Sequence, residues 1–470
     1  MNKLISSTFV ILLFSLRIYA QFGSTGLVDA KSTAMAKSYT AASNGIYSIG
    51  VNPANLASSD SPFLQFSTVL PLPSISSIAG TDFMTINDFN YYFGGVNGNP
   101  RYLSQTDKER LNALFNNGGF VRLNASINWL SVALKINDKV GAIAFSINDV
   151  AAGKFTFPQA IVDIALNGNT IGKTYNLNDA NISAWWIRDY SLSYARHLDL
   201  LKQYFDEVNA GVTLKIVQGF AYAGTEQINT NLSFANDYSI SGSSDLSAVS
   251  SFSNVFNVKY DFDSTSQQTN FSPFPSPAGT GFGFDIGFSA KRHFWRFGLS
   301  ITDIGSINWD NHAAQFTASG NVYLNDITNK TQVDSLKDQV FGKSKSISSF
   351  TTSLPTSLRL GASYFFDKRH NPIPGTLLLA ADYNQGFNNM PGNSVNPRIS
   401  VGGEWKPMDW IPYIRTGFSF GGNFGFHWAF GLGFRADMLE FNIATTDLQT
   451  LIAPNSSKYI SVSIGSSWNL

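Results

Sequence analysis

The chain has 470 residues, with 32 Lys+Arg against 32 Asp+Glu, no cysteine, 39 glycines and 39 phenylalanines. It lacks the basic footprint that nucleic-acid binding requires, and it draws no support from disulfides. Charged residues are 14% of the chain and aromatics 14%, where about 25% charged is average. That pairing leaves a large secreted β protein or a closed transmembrane β-barrel.

Residues 1–20, "MNKLISSTFVILLFSLRIYA", combine Lys3, an apolar run from Phe9 to Leu16 and a small residue at Ala20, the pattern of a cleaved secretory signal peptide. The apolar run is shorter than the roughly 20 residues of a membrane-spanning helix. Without residues 1–20, which carry Lys3 and Arg17 and no acid, 30 Lys+Arg face 32 Asp+Glu, a net charge of −2.

Residues 21–60 read as neither strand nor core helix. Seven alanines lie between Asp29 and Ala57, too little bulk for a separate core. In "NPANLA", Asn52 suits a helix N-cap and Pro53 the first helical position, so a short helical turn is predicted there. Pro53 lacks the donor a strand interior needs. Irregular backbone is tolerated at membrane depth only where protein shields it from lipid. The segment is therefore expected to be a hatch plugging a barrel lumen, with Asn52, Pro53, Ala54 and Asn55 as its motif.

Period-2 segments follow. At 121–129, Val121, Leu123, Ala125, Ile127 and Trp129 oppose Arg122, Asn124, Ser126 and Asn128. At 281–291, Phe282, Phe284, Ile286 and Phe288 oppose Gly283, Asp285, Gly287 and Ser289. At 424–435, Phe424, Phe426, Trp428, Phe430, Leu432 and Phe434 oppose Gly425, His427, Ala429, Gly431, Gly433 and Arg435. A soluble sandwich would put Thr, Lys and Glu on its wet face; a largely glycine face suits a crowded lumen, with the bulky face turned to lipid. Further strands are predicted at 63–70, 139–149, 182–196, 206–219, 293–302, 356–366, 376–384, 397–405, 411–421, 438–446 and 458–469, with one more within 228–263. The fold class is thus all-β, a transmembrane antiparallel β-barrel of about 14 strands over 61–470 with an N-terminal lumenal hatch.

Links at 137–139, 290–292, 422–423 and 436–437 are tight, whereas inserts at 71–120, 150–181, 220–278 and 303–354 are long. Outer-membrane barrels keep short turns on the periplasmic side. Within the first insert, Thr106–Phe115 is predicted to be a helix capped by Thr106, with Leu111, Leu114 and Phe115 on one face; it either covers the barrel mouth or packs on neighbouring loops.

The stretch "VDAKSTAMAKSYTAASNGIYSIGVNPANLA" resembles the hatch of the FadL-like long-chain fatty-acid transporter family, down to Asn52, Pro53 and Ala54. "GLSITDIGSINW" (298–309) and "LPTSLRLGASYFF" (354–366) are similar to segments of that family and of the related PorV-like barrels of Bacteroidota. Where family members often carry Met-Gly-Gly-Ala, this chain has Met35, Ala36, Lys37 and Ser38, and its last residue is Leu470 rather than an aromatic. The resemblance implies a bacterial outer-membrane barrel without a cofactor.

Parity directs Arg122, Arg296, Arg359, Arg398, Arg415 and Arg435 inward against Asp285, Glu404 and Glu440. These arginines are candidate contacts for an amphiphile's carboxylate; the alternative is an ionic network bracing the wall around its plug. The Gly-x-Ser-x-Gly pattern at Gly417, Ser419 and Gly421 falls inside the strand predicted at 411–421 and makes no strand-to-helix elbow, no His-Glu-x-x-His helix accompanies the five histidines, and the chain reads as neither an enzyme nor a metal protein. Two roles remain. One is passive uptake of a hydrophobic or amphipathic small molecule across the outer-membrane lipid; the other is a PorV-like anchor or shuttle binding secreted proteins through its loops.

Overall fold

The computed structural model describes residues 29–470 apart from 169, 200, 257, 259–271, 326–327, 333, 335–341, 368–372 and 423–424. The expected signal peptide, residues 21–28 of the expected hatch, and Phe424 lie outside the described residues.

Twenty strands follow in chain order: β1 (Leu64–Thr68), β2 (Ser74–Thr81), β3 (Gly119–Asn137), β4 (Gly141–Phe157), β5 (Thr174–Asn176), β6 (Asn181–His197), β7 (Glu207–Phe234), β8 (Ile240–Phe252), β9 (Gly279–Arg292), β10 (Trp295–Trp309), β11 (Ala314–Leu324), β12 (Lys343–Ser346), β13 (Phe350–Ser353), β14 (Ser357–Phe366), β15 (Thr376–Gly386), β16 (Arg398–Lys406), β17 (Tyr413–Gly421), β18 (Phe426–Ala436), β19 (Leu439–Thr445) and β20 (Tyr459–Asn469). β1 and β2 together fill one position between β20 and β3. From β3 the antiparallel wall runs through β4, β6, β7, β9, β10 and β14 to β20, a closed barrel of 14 positions. Closure leaves no open edge to face lipid. At the seam Gln65 opposes Asn469, and the Phe66 and Trp468 rings stack 6.0 Å apart.

The alternation read from sequence holds in space. On β9, Phe282 is 74% exposed while Asp285 is 0% exposed. On β18, Phe426, Trp428 and Phe434 face outward, and His427, Ala429, Gly431 and Gly433 are buried. A bulge at Asn128/Leu130 reverses the parity of β3, so Ser131 and Ala133 face inward beyond it.

Two loop expectations change. The link expected at 422–423 joins β17 to β18 at the end that carries the long loops, because β17 enters from the turn at 407–412. The extra strand expected within 228–263 is not a wall strand. β7 is 28 residues long, and only its first half pairs with β9. Its second half leaves the wall and pairs with β8 and β5, while β8 pairs with β11 and β11 with β12. Rungs such as Thr230 opposite Ser244 and Asn231 opposite Ser243 make this projecting sheet polar, as strands in water rather than lipid require.

The helix in the first insert spans Gln105–Leu114, and its cap is Ser104, not Thr106: Ser104 Oγ accepts from the Asp107 amide while the Asp107 carboxylate accepts from the Ser104 amide. This reciprocal box satisfies two orphan donors, which a Thr106 cap would not. Leu111 and Phe115 pack with Met84, Val162 and Leu166 in a small satellite core among the loops.

Candidate functional site: the filled lumen

Residues 29–58 lie inside the barrel. Asp29 caps a single helical turn, Ala30–Ala34, through its carboxylate and the Ser32 amide at 2.9 Å. The chain then turns through Ala36 (φ +52°) and Lys37 (φ +66°). Two 3-10 turns follow, Gly45–Ser48 and Pro53–Ala57. As the sequence predicts, Asn52 caps the second, its side-chain oxygen accepting from the Ala54 amide at 3.2 Å. Every residue from Pro53 to Ala57 is buried.

Glycines on the wall make room for this segment. A Cβ at Gly211 would stand 2.5 Å from the Pro53 carbonyl carbon, one at Gly298 2.6 Å from the Thr40 oxygen, one at Gly417 2.5 Å from the Met35 carbonyl carbon, and one at Gly431 2.6 Å from the Ala34 Cβ. Gly287, Gly361 and Gly402 meet Asn52, Thr40 and Met35 in the same way. These residues belong to β7, β9, β10, β14, β16, β17 and β18, and Gly211 opposes Gly287, Gly298 opposes Gly361, and Gly402 opposes Gly417. The small inner face is thus a belt against which backbone packs on backbone.

Wall side chains satisfy the plug's exposed peptide groups. One Asp382 oxygen accepts from the Tyr39 and Thr40 amides at 2.9 and 2.8 Å. Gln65 accepts from the Ile46 amide at 2.9 Å, and Ser300 donates to the Val51 carbonyl at 2.6 Å. Asn52 donates to the Phe288 carbonyl at 3.0 Å, Asn55 to Thr40 O at 2.9 Å, and Tyr47 to Ser467 Oγ at 2.8 Å. Irregular backbone stays buried because each such group finds a partner.

The six arginines do not converge. Arg415 is buried, with Nε 2.5 Å from Glu404, Nη1 donating to Asn442 at 2.7 Å and Nη2 3.7 Å from Glu440. Lys31 of the plug reaches the same Glu440 at 2.8 Å. Arg359 and Arg398 are buried within electrostatic range of Asp382 and Lys37. Arg296 pairs with Asp60, just past the plug. Arg122, on β3, lines a cavity at the loop end. Arg435 is exposed at the 437–438 turn and donates to the Asp437 carbonyl at 3.3 Å. Arg296, Arg359, Arg398 and Arg415 thus stand among carboxylates of the wall and its flank.

Parity also undercounted the inner acids. Buried Asp189, Asp285, Asp303, Asp382 and Glu440 stand against buried Arg122, Arg359, Arg398, Arg415 and Lys215, so the described lumen is electrically mixed rather than positive. Lys215 bridges Asp285 at 2.8 Å and Asp303 at 2.6 Å, all three side chains fully buried. Asp303 sits at a bulge between Ile301 and Ile304 with φ +59°; the sequence places Asp285 inward but ends the next strand at 302, and it singles out neither Lys215 nor Asp303. A second pair missed in sequence faces outward. Arg188 grips Asp149 through Nε at 2.5 Å and Nη2 at 2.8 Å, under the rings of Trp129, Phe220 and Phe274. Charges at outward parity on adjacent strands were its only signal.

Trp185, Ile187, Val217, Ile307, Trp309 and Leu354 pack into a separate buried apolar cluster. Two cavities border the lumen among the described residues. One, of about 440 Å³, lies at the loop end between Arg122, Lys154 and the 387–397 loop. The other, of about 500 Å³, lies at the turn end between plug and wall, where Tyr39, Ala42, Phe294, Phe365 and Leu378 meet Lys31, Lys291 and Arg296.

No curated protein matches the chain. Among solved structures it is similar to the Pseudomonas putida toluene transporter TodX (12% identity over 94% of this chain and 98% of that one, TM-score 0.49), the Ralstonia pickettii toluene transporter TbuX (12%, 97% and 100%, 0.47) and a Pseudomonas aeruginosa FadL homologue (14%, 96% and 100%, 0.47). A family match covers residues 53–448, from the first residue of the Asn52-capped turn to the loop before β20. With that span of the plugged barrel matched, the chain belongs to the family of unknown function DUF5723.

Proposed function

We propose that the protein is an outer-membrane channel for passive entry of hydrophobic or amphipathic small molecules, fatty-acid-like in shape, with the hatch as its gate. The turn-end cavity carries this reading. Its volume of about 500 Å³ falls within the roughly 300–1,000 Å³ of small-molecule sites, and it sets Phe294, Phe365 and Leu378 beside a charged rim in which Lys291 and Arg296 pair with Asp60, and Asp367 and Glu404 also line the space, an apolar half and a polar half such as an amphiphile needs. In this reading residues 1–20 direct export, the short-turn end faces the periplasm and the projecting sheet faces outside. The test is equilibrium binding of decanoate, decanol and toluene to folded full-length protein, with Leu378→Trp filling the cavity. Binding of at least one probe, lost at least tenfold in the variant, is expected; absence of binding by the folded wild type sinks the proposal.

One observation favours the second role. The sheet of β5, β7, β8, β11 and β12 stands clear of the wall and offers polar rungs that the channel does not use. A stoichiometric protein in native mass spectra of gently extracted material, lost when 225–250 is replaced by a short turn, is the result this role requires.

A further inference from the structure

At the loop end of the lumen, Arg122 on β3 and Lys154 on β4 are direct cross-strand partners. Both stand over one ring: the Arg122 guanidinium carbon is 5.2 Å and the Lys154 ammonium 4.8 Å from the Phe120 centroid. Like charges directly opposite each other destabilise an antiparallel pair. Asp82 lies within electrostatic range of both, but its carboxylate accepts from the Phe120 amide at 2.7 Å and does not line the cavity. The two cations line the cavity of about 440 Å³ together with neutral polar groups: Thr156, Asn181 and Ser183 from the wall, and Asn389, Asn393 and Asn396 from the 387–397 loop. That loop joins β15 to β16, seven positions around the 14-membered wall from β3, so it crosses the mouth to reach them. Its base is anchored beside β14: the Asn393 amide group donates to Thr356 O and to Asn388 Oδ1 of the loop itself, each at 3.0 Å. The Asn389 side-chain oxygen accepts from the Val395 amide at 3.1 Å, which leaves its amino end as the donor it offers. No carboxylate lines this cavity, and Met390, Pro391 and Val395 are its larger apolar members.

We propose that this cavity binds an oxyanion carried on a hydroxyl-rich framework, an acidic or phosphorylated sugar. Arg122 and Lys154 meet the oxyanion, relieving their mutual repulsion, and the carboxamides and hydroxyls meet the ring hydroxyls. The site is distinct from the amphipathic cavity between plug and wall at the turn end and stands or falls separately from it.

The experiment is calorimetric titration of the full-length folded protein with glucuronate, glucose 6-phosphate, glucose and inorganic phosphate, and with lipid A in mixed micelles. Both soluble sugar anions are expected to bind, with glucose at least tenfold weaker. Lys154→Gln is expected to weaken the anions at least tenfold while leaving decanoate binding unchanged. Asn389→Ala is expected to weaken the sugar anions but not inorganic phosphate. Arg122→Gln removes a buried group, so the half-buried Lys154 carries the test, with heat-modifiable gel mobility certifying the fold. Binding of lipid A without either soluble sugar anion supports the chemistry and assigns it to a glycolipid head group. Glucose binding as tight as its acid, inorganic phosphate binding as tight as glucose 6-phosphate, anion affinity unchanged by Lys154→Gln, or no anion bound by the folded wild type overturns it.

Discussion

Ala36 and Lys37 hold left-handed backbone, φ +52° and +66°, at the two positions where the resembling family often has glycine. A side chain there costs roughly 1–2 kcal/mol per residue, partly offset because glycine loses more freedom on ordering. Ala36→Gly is therefore expected to stabilise the seated hatch by about 1 kcal/mol, read as slower amide exchange across 35–40. Lys37→Gly should gain less, since Lys37 Nζ donates to Thr33 at 3.1 Å and Ser32 at 3.4 Å. Asp382 matters for the opposite reason. Its one oxygen serves two buried plug amides, and each orphaned donor costs about 1–3 kcal/mol. Asp382→Ala should raise protease cleavage within 36–44 several-fold, while Asp382→Asn, which keeps an acceptor, should stay near wild type. Equal cleavage of the two variants would mean that the carboxylate acts through its charge and not as an acceptor.

At the scale of the strand, neighbouring residues meet different solvents. Phe430 on β18 points outward, and Gly431 points at Ala34 of the plug. Phe430→Arg near mid-membrane is expected to cost about 2–4 kcal/mol and to impair assembly. Gly431→Leu should act instead by crowding, against Ala34 of the plug at 2.6 Å and against Ile443 O and Ala444 of β19 at 2.7 and 2.9 Å, with no charge placed in lipid. Depth-dependent quenching of a fluorophore placed at 430 reads the first assignment, and a probe blind to lipid-borne quencher would reverse inside and outside. Urea titration of the assembled barrel separates the two variants. Strands of this kind are legible in sequence because their period is 2 and their two faces differ in bulk. The bulges at 128/130 and 301/304 are not: an extra residue depends on what the partner strand offers, and it shifts parity for everything beyond it.

For the whole molecule, wall and plug are separable by design of their contacts. The wall closes through its own backbone ladder, from β1 opposite β20 around to β19, whereas the plug adds no strand to it. Deleting 29–58 should therefore yield a barrel that still inserts and shows heat-modifiable mobility but conducts small ions across a planar bilayer. Conductance equal to wild type from a folded deletion would show that the apolar cluster around Trp185 and Trp309, rather than the hatch, closes the pore.

Local chemistry by itself determined the wall and the plug's turn. Alternation of bulky and small residues dictates which face meets lipid, and Asn52 followed by Pro53 dictates a capped turn wherever that turn lies. The purpose of the small face was visible only in part: glycine parity pointed inward, but the belt exists because Gly211, Gly298 and Gly417, far apart in sequence, surround one segment. Tertiary structure alone decided the charges. Six arginines share inward parity or nearly so, yet depth along the barrel separates them into a brace at Arg415, a turn residue at Arg435 and a mouth residue at Arg122. Parity specifies direction and not height or partner, and the energy of a buried charge is set by the partner.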